Sequence, residues 1–277
     1  MIPVRLITIP FSHYCEKARW ALDAAGVDYR EEPHPPLAHL PATRAVGGRS
    51  VPVLVHGEHV FRDSTDIVRH ADDLAPPDRH LFPAEAEART RVLAIEDELD
   101  ETLGVDARLI SYWHHLADAE RARAFVGRMM GVRSRIAQRL VAPLFRALIF
   151  RRYEVSGAAA RRAEARVRST FARLRDAIET EGYLVAGRFT LADLTLASLA
   201  TPLLAPPEHP IMGQLQLSPP PELAALRADL SATPAGRHIL RVYRDHRRLR
   251  SAPREGVGKR LLIDGQQRLT TLMIRRG

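Results

Sequence analysis

Cysteine is almost absent from this sequence: Cys15 is the only one among 277 residues. One cysteine cannot form an internal disulfide or a cysteine-based zinc site, and such usage is typical of a reducing cytoplasm. The 12 histidines are scattered, and the adjacent pair His114 and His115 cannot share one helix face. We therefore expect a cytoplasmic protein without a metal site.

Long hydrophobic runs are also missing. The longest, Leu140 to Phe150, is broken by Pro143 and Arg146 and is too short to span a bilayer. The first residues lack a basic patch followed by an apolar core, so we expect no secretory signal. A hydrophobic content of 45% with 27% charged residues is ordinary for a soluble globular protein. The sequence thus predicts one large or two modest domains and no membrane partner.

Aromatic residues make up only 6% of the chain, while arginine is abundant and the net charge is +8. The charge is uneven, because residues 1–78 carry 8 Lys+Arg against 11 Asp+Glu, a net of −3. The basic remainder lacks the interleaved aromatics on which bases stack. Solvated arginine-rich helix faces are therefore favoured over nucleic-acid binding, which stays the weaker alternative. An anionic substrate would also benefit from this positive field.

The most informative stretch joins a predicted strand over 4–9 to a predicted helix that Gly26 ends. The loop between them places Ser12 and Cys15 beside free backbone N–H groups and the positive end of the helix dipole. This setting can stabilise a thiolate of the protein or of a bound thiol. The alternatives are that Ser12 is only a helix cap and Cys15 only a small buried residue, with His13 facing solvent.

The rest of the pattern divides into two parts. Segments 27–30, 51–55 and 59–61 are predicted strands, and Asp63 begins a helix, so residues 1–76 form an α/β unit. A proline-rich linker over 77–83 separates this unit from a helical domain over 84–250. The helices are predicted near 84–104, 106–117, 119–150 (with Pro143 as a candidate break), 158–181, 191–204, 221–230 and 233–248.

The predicted helix over 191–204 has two signals for its N-terminus. Thr190 is placed as its N-cap and Asp193 as the third helical residue, which is a variant of the capping box. Such a start is typical of a central core helix, and we assign both residues a structural role.

Four motifs together resemble the cytosolic glutathione transferase family, in its bacterial-like form. They are Ser12 to Leu22, Val51 to Leu54, Asp63-Ser64, and Phe189 to Asp193, in the order and spacing of that family. The resemblance implies a thioredoxin-like N-terminal domain (β-α-β-β-β-α) followed by an all-α C-terminal domain. It also implies glutathione as co-substrate, a hydrophobic electrophile as second substrate, and a homodimer.

The same resemblance assigns roles to the N-terminal residues. Ser12 or Cys15 would contact the glutathione sulfur, as in serine-type and cysteine-type enzymes, whereas Thr8 stands where tyrosine-type enzymes carry their tyrosine. Pro52 would be a cis-proline, and the backbone of the preceding residue, Val51, would pair with the cysteinyl part of glutathione.

The other end of glutathione has its own implied partners. Asp63 and Ser64 would hold its γ-glutamyl end. Ser64 at a helix N-terminus can donate to a carboxylate, and Asp63 can accept from the ammonium group.

The electrophile pocket is less determined by sequence. Tyr112, Trp113 and segment 206–212 are its candidates, although a packing role is favoured for Trp113 over a role as a ligand platform. The segment from Val105 to Arg161 is longer and more basic than is usual in the family, which points to a remodelled pocket. The leading prediction is a glutathione transferase, with thiol-disulfide oxidoreductase or isomerase activity as variants. The alternative is a binding or interaction module that kept the fold without turnover.

The C-terminal tail, residues 251–277, does not fit this scheme. Its segment 264–268 resembles the Asp-Gly-Gln-Gln-Arg motif of ParB-like restriction nuclease domains. About 27 residues cannot build such a domain. With six Lys+Arg against two acidic residues, the tail is predicted to be a disordered basic remnant without nuclease function.

Overall fold

The computed structural model describes residues 3–212 and 218–247. Its sheet has four strands in the order β2-β1-β3-β4. Strand β1 pairs in parallel with β2 and antiparallel with β3, and β3 pairs antiparallel with β4. The strands are β1 (Val4–Thr8), β2 (Arg30–Pro33), β3 (Val53–His56) and β4 (His59–Phe61).

Helices account for most of the remaining described chain. Three belong to the sheet region: α1 (His13–Ala25), α2 (Leu40–Arg44) and α3 (Ser64–Leu74). After a short 3-10 turn, ten follow: α4 (Ala86–Glu101), α5 (Leu103–Leu116), α6 (Ala119–Met129), α7 (Arg135–Arg152), α8 (Gly157–Arg173), α9 (Arg175–Glu181), α10 (Leu191–Leu199), α11 (Thr201–Leu204), α12 (Pro221–Ala232) and α13 (Pro234–His246). The predicted thioredoxin-like sheet followed by helices is confirmed, and none of the helices described is long and apolar enough to cross a membrane.

Helix α1 lies at the centre of the packing. It contacts α3 beside the sheet and α10 from the helical part. The largest buried cluster therefore runs continuously through both parts, and its bulkiest members include Trp20 and Tyr243. Their rings lie 4.5 Å apart, centroid to centroid. The helix that carries the candidate site is thus held on two sides by apolar burial, the dominant favourable term in folding.

Two predicted elements are displaced in the structure. The second strand begins at Arg30 rather than at Val27, because Val27 still donates its N–H to the carbonyl of Leu22. Gly26 permits this closure with a left-handed φ of 74°. The chain therefore needs three more residues to leave the helix end before it joins the sheet.

The predicted helix over 119–150 is two helices, and Pro143 is not the break. Helix α6 ends at Met129, Gly131 takes a left-handed φ of 67°, and Ser134 caps α7 by accepting from Ala137 N. Pro143 stays within α7. The break lies where a glycine and a capping serine follow each other, as helix-end chemistry requires.

Helix α7 leaves part of its apolar surface uncovered. Ile136, Leu140, Leu144 and Leu148 follow each other at four-residue spacing and are 45–73% exposed. Its opposite side packs against α6 through a second buried cluster that includes Phe145 and Ile149. Helix α7 thus carries apolar side chains on both faces. The hydrophobic period of the sequence alone therefore does not show which of the two faces is buried.

Candidate active site

Ser12 is the N-cap of α1. Its backbone is extended (φ −75°, ψ 121°), and its hydroxyl oxygen accepts from Cys15 N at 3.4 Å. Its side chain also lines a cavity of about 680 Å³. Because the oxygen is the acceptor in the capping bond, the hydroxyl hydrogen is still able to donate to a group in the cavity. A thiolate beside it would also meet the positive end of the α1 dipole.

Cys15 lies on the other side of the loop and is fully buried. Burial raises the pKa of its thiol, and this effect outweighs the charge of Arg19, which acts in the opposite direction. Cys15 does not belong to the residues that line the cavity. This placement favours the role of a small core residue, since a thiol without access to the cavity is a poor nucleophile.

His13 corrects a prediction, because it is buried rather than exposed to solvent. Its Nε2 lies 2.9 Å from the carbonyl oxygen of Gly104, so this nitrogen carries the hydrogen and donates. Burial, with a contribution from the charge of Arg108, lowers the pKa of His13 to about 3. The ring is therefore neutral near pH 7 and ties α1 to the start of α5.

Tyr14 makes a second tie to the helical part. Its hydroxyl donates to the carbonyl of Asp100 at 2.8 Å, and burial is the main cause that raises its pKa to about 12. The phenol lies so close to Gly104 that a Cβ on Gly104 would stand 2.8 Å from the Tyr14 Cζ. The first turn of α1, including Ser12, is consequently positioned by contacts with α4 and α5.

A buried charged cluster reinforces this position. Lys17 is fully buried and contacts the carboxylates of Glu96 and Asp100 and the hydroxyl of Thr65. The Lys17 Nζ to Asp100 Oδ2 distance is 2.6 Å. Burial raises the pKa of Asp100 to about 6, although Lys17 acts in the opposite direction. The cluster joins α1, α3 and α4 at one point.

A second buried network connects α1 to the end of α13. Arg247 donates to Glu16 at 2.7 Å and to Asp23 at 2.9 Å, and Glu16 also accepts from Arg19 at 2.9 Å. Burial alone would raise the pKa of Glu16, but the charges of Arg247, His209 and Arg19 together hold it below its usual value. Arg247 lies 231 positions from Glu16 and 224 from Asp23 in the chain, so no local motif predicts these two contacts.

The candidate glutathione-binding residues occupy two neighbouring places. The Val51–Pro52 peptide bond is cis, as the resemblance implied, and Val51 lines the same cavity as Ser12. Asp63 is the N-cap of α3 and accepts from Thr65 N at 2.8 Å, while Ser64 is only 3% exposed. Pro52, Asp63 and Ser64 lie outside the lining of this cavity.

Some of the candidates for the electrophile pocket line the cavity and others do not. Tyr112 lines the cavity, as do Pro206, Pro207 and Met212. Trp113 is absent from the lining: its ring lies against Gly157 and within 6.4 Å of the Phe150 ring centroid. Consecutive residues of a helix face different surroundings, and Trp113 packs against the second buried cluster, which is the role that the sequence favoured for it.

Thr190 and Asp193 form the capping box of α10. Both are fully buried, and Asp193 accepts from Thr190 N and Leu184 N, each at 3.0 Å. It also accepts from the Thr190 hydroxyl at 3.1 Å and contacts His238 Nε2 at 2.8 Å. In the described part of the chain, no cluster of His, Cys, Asp or Glu could hold a metal ion.

The chain is similar to known proteins at two levels. Residues 6–79 match the family model of the glutathione S-transferase N-terminal domain, whereas no curated protein sequence matches significantly. One similar structure is the theta class glutathione S-transferase from Xanthomonas axonopodis pv. citri with glutathione bound. It is 22% identical with a TM-score of 0.53, and the match covers 87% of this chain and 98% of that one.

A second similar structure is the β-etherase LigF from Sphingobium sp. strain SYK-6. It is 18% identical with a TM-score of 0.55, and the match covers 87% of this chain and 99% of that one. The N-terminal match, the sheet order and the helices that follow agree with each other. The chain therefore has the glutathione transferase fold, with a thioredoxin-like sheet followed by a helical region.

Proposed function

We propose that this protein binds glutathione and activates its thiol for attack on an electrophilic small molecule. The observation that carries the proposal is that Ser12 and Val51 line the same cavity, of about 680 Å³, as apolar and aromatic side chains such as Tyr112 and Phe145. A thiol and a second substrate can therefore meet in one cavity.

Glutathione would lie along the backbone at Val51. The described ladder pairs of β3 begin at Val53, so they leave the N–H and carbonyl of Val51 available to an extended peptide. The γ-glutamyl end would reach towards the N-terminus of α3, where Asp63 and Ser64 are the binding candidates. The similar theta class enzyme from Xanthomonas axonopodis pv. citri has glutathione bound, which supports glutathione as the ligand of this fold.

Ser12 would stabilise the thiolate. A free thiol has a pKa of about 8.5, and lowering it by about two units requires roughly 2.7 kcal/mol of selective stabilisation. The hydrogen bond from one hydroxyl donor and the dipole at the N-terminus of α1 together provide a stabilisation of this order. The thiolate then forms the new carbon–sulfur bond, and the leaving group departs with the bonding electron pair.

The serine type is preferred to the cysteine type because of where the two side chains lie. Ser12 reaches the cavity, whereas Cys15 is buried with a raised thiol pKa. Thiol-disulfide exchange through Cys15 would need that thiol to become exposed. The binding module without turnover stays the alternative, and only a measurement of activity separates it from the enzyme.

The test compares two helix-capping serines. Ser156 caps α8, accepts from Ala159 N at 3.1 Å and does not line the cavity, so it is a matched control for Ser12. Ser12→Ala should raise the pKa of the bound glutathione thiol, followed by thiolate absorbance, and lower kcat/KM for an aryl halide at least tenfold. Ser156→Ala should cost only about 1 kcal/mol of stability, and Cys15→Ala should keep turnover.

The outcomes distinguish the possibilities. Unchanged thiol pKa and turnover in Ser12→Ala would refute the role of Ser12. Binding to immobilised glutathione without conjugation of any aryl halide would establish the binding module. No binding to glutathione at all would end the proposal.

The resemblance further leads us to propose a cytoplasmic homodimer. Light scattering on the purified protein should then give twice the chain mass of 31.0 kDa. A mass of one chain at micromolar concentration would contradict the dimer without affecting the proposed chemistry.

A further inference from the structure

The described lining of the cavity has a one-sided charge. It includes Arg49, Arg108, Arg152 and Arg227, but no aspartate or glutamate among the residues that the structure describes there. A cavity lined by one sign of charge raises the local concentration of ligands of the opposite sign. Arg49 is two residues from Val51 in the chain, which leaves three arginines that belong to the helical part.

Arg108 and Arg152 lie on the same aromatic ring. The guanidinium carbon of Arg108 is 4.6 Å from the centroid of the Tyr153 ring, and that of Arg152 is 5.3 Å from it. The Tyr112 ring lies 5.5 Å from Tyr153, centroid to centroid. Stacking on a ring face leaves the guanidinium N–H groups at the edge, where they can donate to a planar anion.

Neither of these two arginines has an acidic partner in residues 3–212 and 218–247: no described hydrogen bond or ion pair joins Arg108 or Arg152 to a carboxylate. The fully buried arginines of the fold are paired with acids: Arg19 contacts Glu16 and Glu31, and Arg247 contacts Glu16 and Asp23. Arg108 is partly buried and Arg152 is exposed at the end of α7. Both guanidinium groups are therefore accessible to a ligand and carry a charge that no described carboxylate neutralises.

Arg227 adds a third cation to the same space. Its Nε donates to the carbonyl of Leu203 at 2.8 Å, and burial lowers the pKa of its guanidinium with no acid to oppose the effect. It lies near His115, whose ring stacks on Phe125 at 4.7 Å. A half-buried cation without a counter-ion is costly, and an anionic ligand relieves this cost.

We propose that the second substrate is an electrophile that carries a carboxylate on an aromatic body. This inference rests on the proposed function and names the substrate class for the same site. The carboxylate binds Arg108 and Arg152, and the aromatic body lies against Tyr112 and Tyr153. The glutathione thiolate forms a bond to the electrophilic carbon, and the leaving group departs from that carbon with its electron pair.

Binding of product-like conjugates tests this without requiring turnover. S-(4-carboxybenzyl)glutathione and S-benzylglutathione differ only in the carboxylate, and titration calorimetry measures the Kd of both. We expect the carboxylated conjugate to bind the wild-type protein at least tenfold more tightly, which corresponds to about 1.4 kcal/mol. The preference should fall to below about twofold in the double variant Arg108→Gln, Arg152→Gln, with the neutral conjugate unaffected.

A matched control removes the same charge outside the cavity. Arg151 is exposed, adjoins Arg152 and does not line the cavity, so Arg151→Gln should retain the preference. The single variant Arg152→Gln changes an exposed helix end and keeps the test valid if the double variant does not fold. Thermal melting of each variant verifies folding.

The outcomes separate this inference from the proposed function. Equal affinity of both conjugates for the wild type would overturn the inference while glutathione binding stands. If neither conjugate binds, titration with 2-naphthoate and 2-naphthalenemethanol tests the anion site alone. Because the inference rests on glutathione binding, it falls together with the proposed function in that case. Tighter binding of naphthoate that Arg152→Gln removes would show that the arginines still form an anion site, and no binding of naphthoate would overturn the anion site as well.

Discussion

Replacing Gly104 by alanine should disturb the candidate active site from a distance. Gly104 lies inside α5 with an ordinary helical backbone, so space rather than conformation requires glycine there. The added Cβ would stand 2.8 Å from Tyr14 Cζ and 3.4 Å from a Leu199 methyl group. Because the phenol is held by its hydrogen bond to the Asp100 carbonyl, it cannot move without breaking that bond.

The magnitude follows from three contributions. Overpacking of a filled site costs about 1–3 kcal/mol, and loss of the Tyr14 hydrogen bond costs about 1 kcal/mol more. The helix propensity of alanine returns about 1 kcal/mol. We therefore expect Gly104→Ala to lower the free energy of unfolding by about 1–3 kcal/mol, and to weaken binding of S-methylglutathione because Ser12 moves with the first turn of α1.

A double-mutant cycle in urea provides the assay. In a Tyr14→Leu background the clash is absent, so the Gly104 substitution should become neutral or stabilising there. Gly127→Ala is the control, because its Cβ would meet the amide of Gln138, which donates to the Val132 carbonyl and has no contact with Tyr14. Its effect on the free energy of unfolding should therefore be the same in the wild-type and Tyr14→Leu backgrounds. If the effects of Gly104→Ala and Tyr14→Leu simply add, the phenol is not what excludes a side chain at position 104, and the reasoning is refuted.

Two further predictions concern the buried ion pair between Arg247 and Glu16 and the exposed apolar face of α7. Arg247→Met leaves Glu16 buried without its main partner, which should cost about 3–5 kcal/mol near neutral pH. Because the pKa of Glu16 is lowered on folding, its contribution is present above the unfolded pKa and is lost as pH falls through the folded pKa. The stability gap between wild type and variant, from urea unfolding at several pH values, should therefore narrow below about pH 4.5; a constant gap would contradict this. The double variant Leu140→Gln, Leu144→Gln alters side chains that are 67% and 73% exposed, so the unfolding free energy should change by under about 0.5 kcal/mol per site. A larger loss would mean that another surface covers α7.

Local chemistry explains most of what the sequence predicted. The cap at Ser12, the end at Gly26 and the capping box of Thr190 with Asp193 each involve residues within a few positions of each other. The same local chemistry could have placed the break between α6 and α7. Gly131 followed three residues later by Ser134 is a helix end followed by a helix cap.

Contacts between distant residues could not be predicted in this way. His13 meets a carbonyl 91 positions away, and Lys17 meets a carboxylate 79 positions away. A charged residue in a helical pattern is ordinarily assigned to a solvated face, which is why the sequence suggested no partners for Lys17. The helical period of α5 places Arg108 and Tyr112, which are four residues apart, on one face and Trp113 on another, but it does not show which face lines a cavity.

The position of Arg108 joins the two proposals. A thiolate beside Ser12 and a substrate carboxylate in the same cavity repel each other, by about 2 kcal/mol for unit charges about 7 Å apart at an effective dielectric of about 20. The Arg108 guanidinium carbon lies 5.9 Å from the Tyr14 ring centroid and 4.6 Å from the Tyr153 ring centroid. With the thiolate proposed beside Ser12 and the carboxylate proposed beside Tyr153, the Arg108 charge would attract both anions. Arg152 contacts only the Tyr153 side. Arg108→Gln should therefore raise the pKa of the bound glutathione thiol while Arg152→Gln leaves it unchanged, and equal thiol pKa values in the two variants would place the Arg108 charge outside the path between the two substrates.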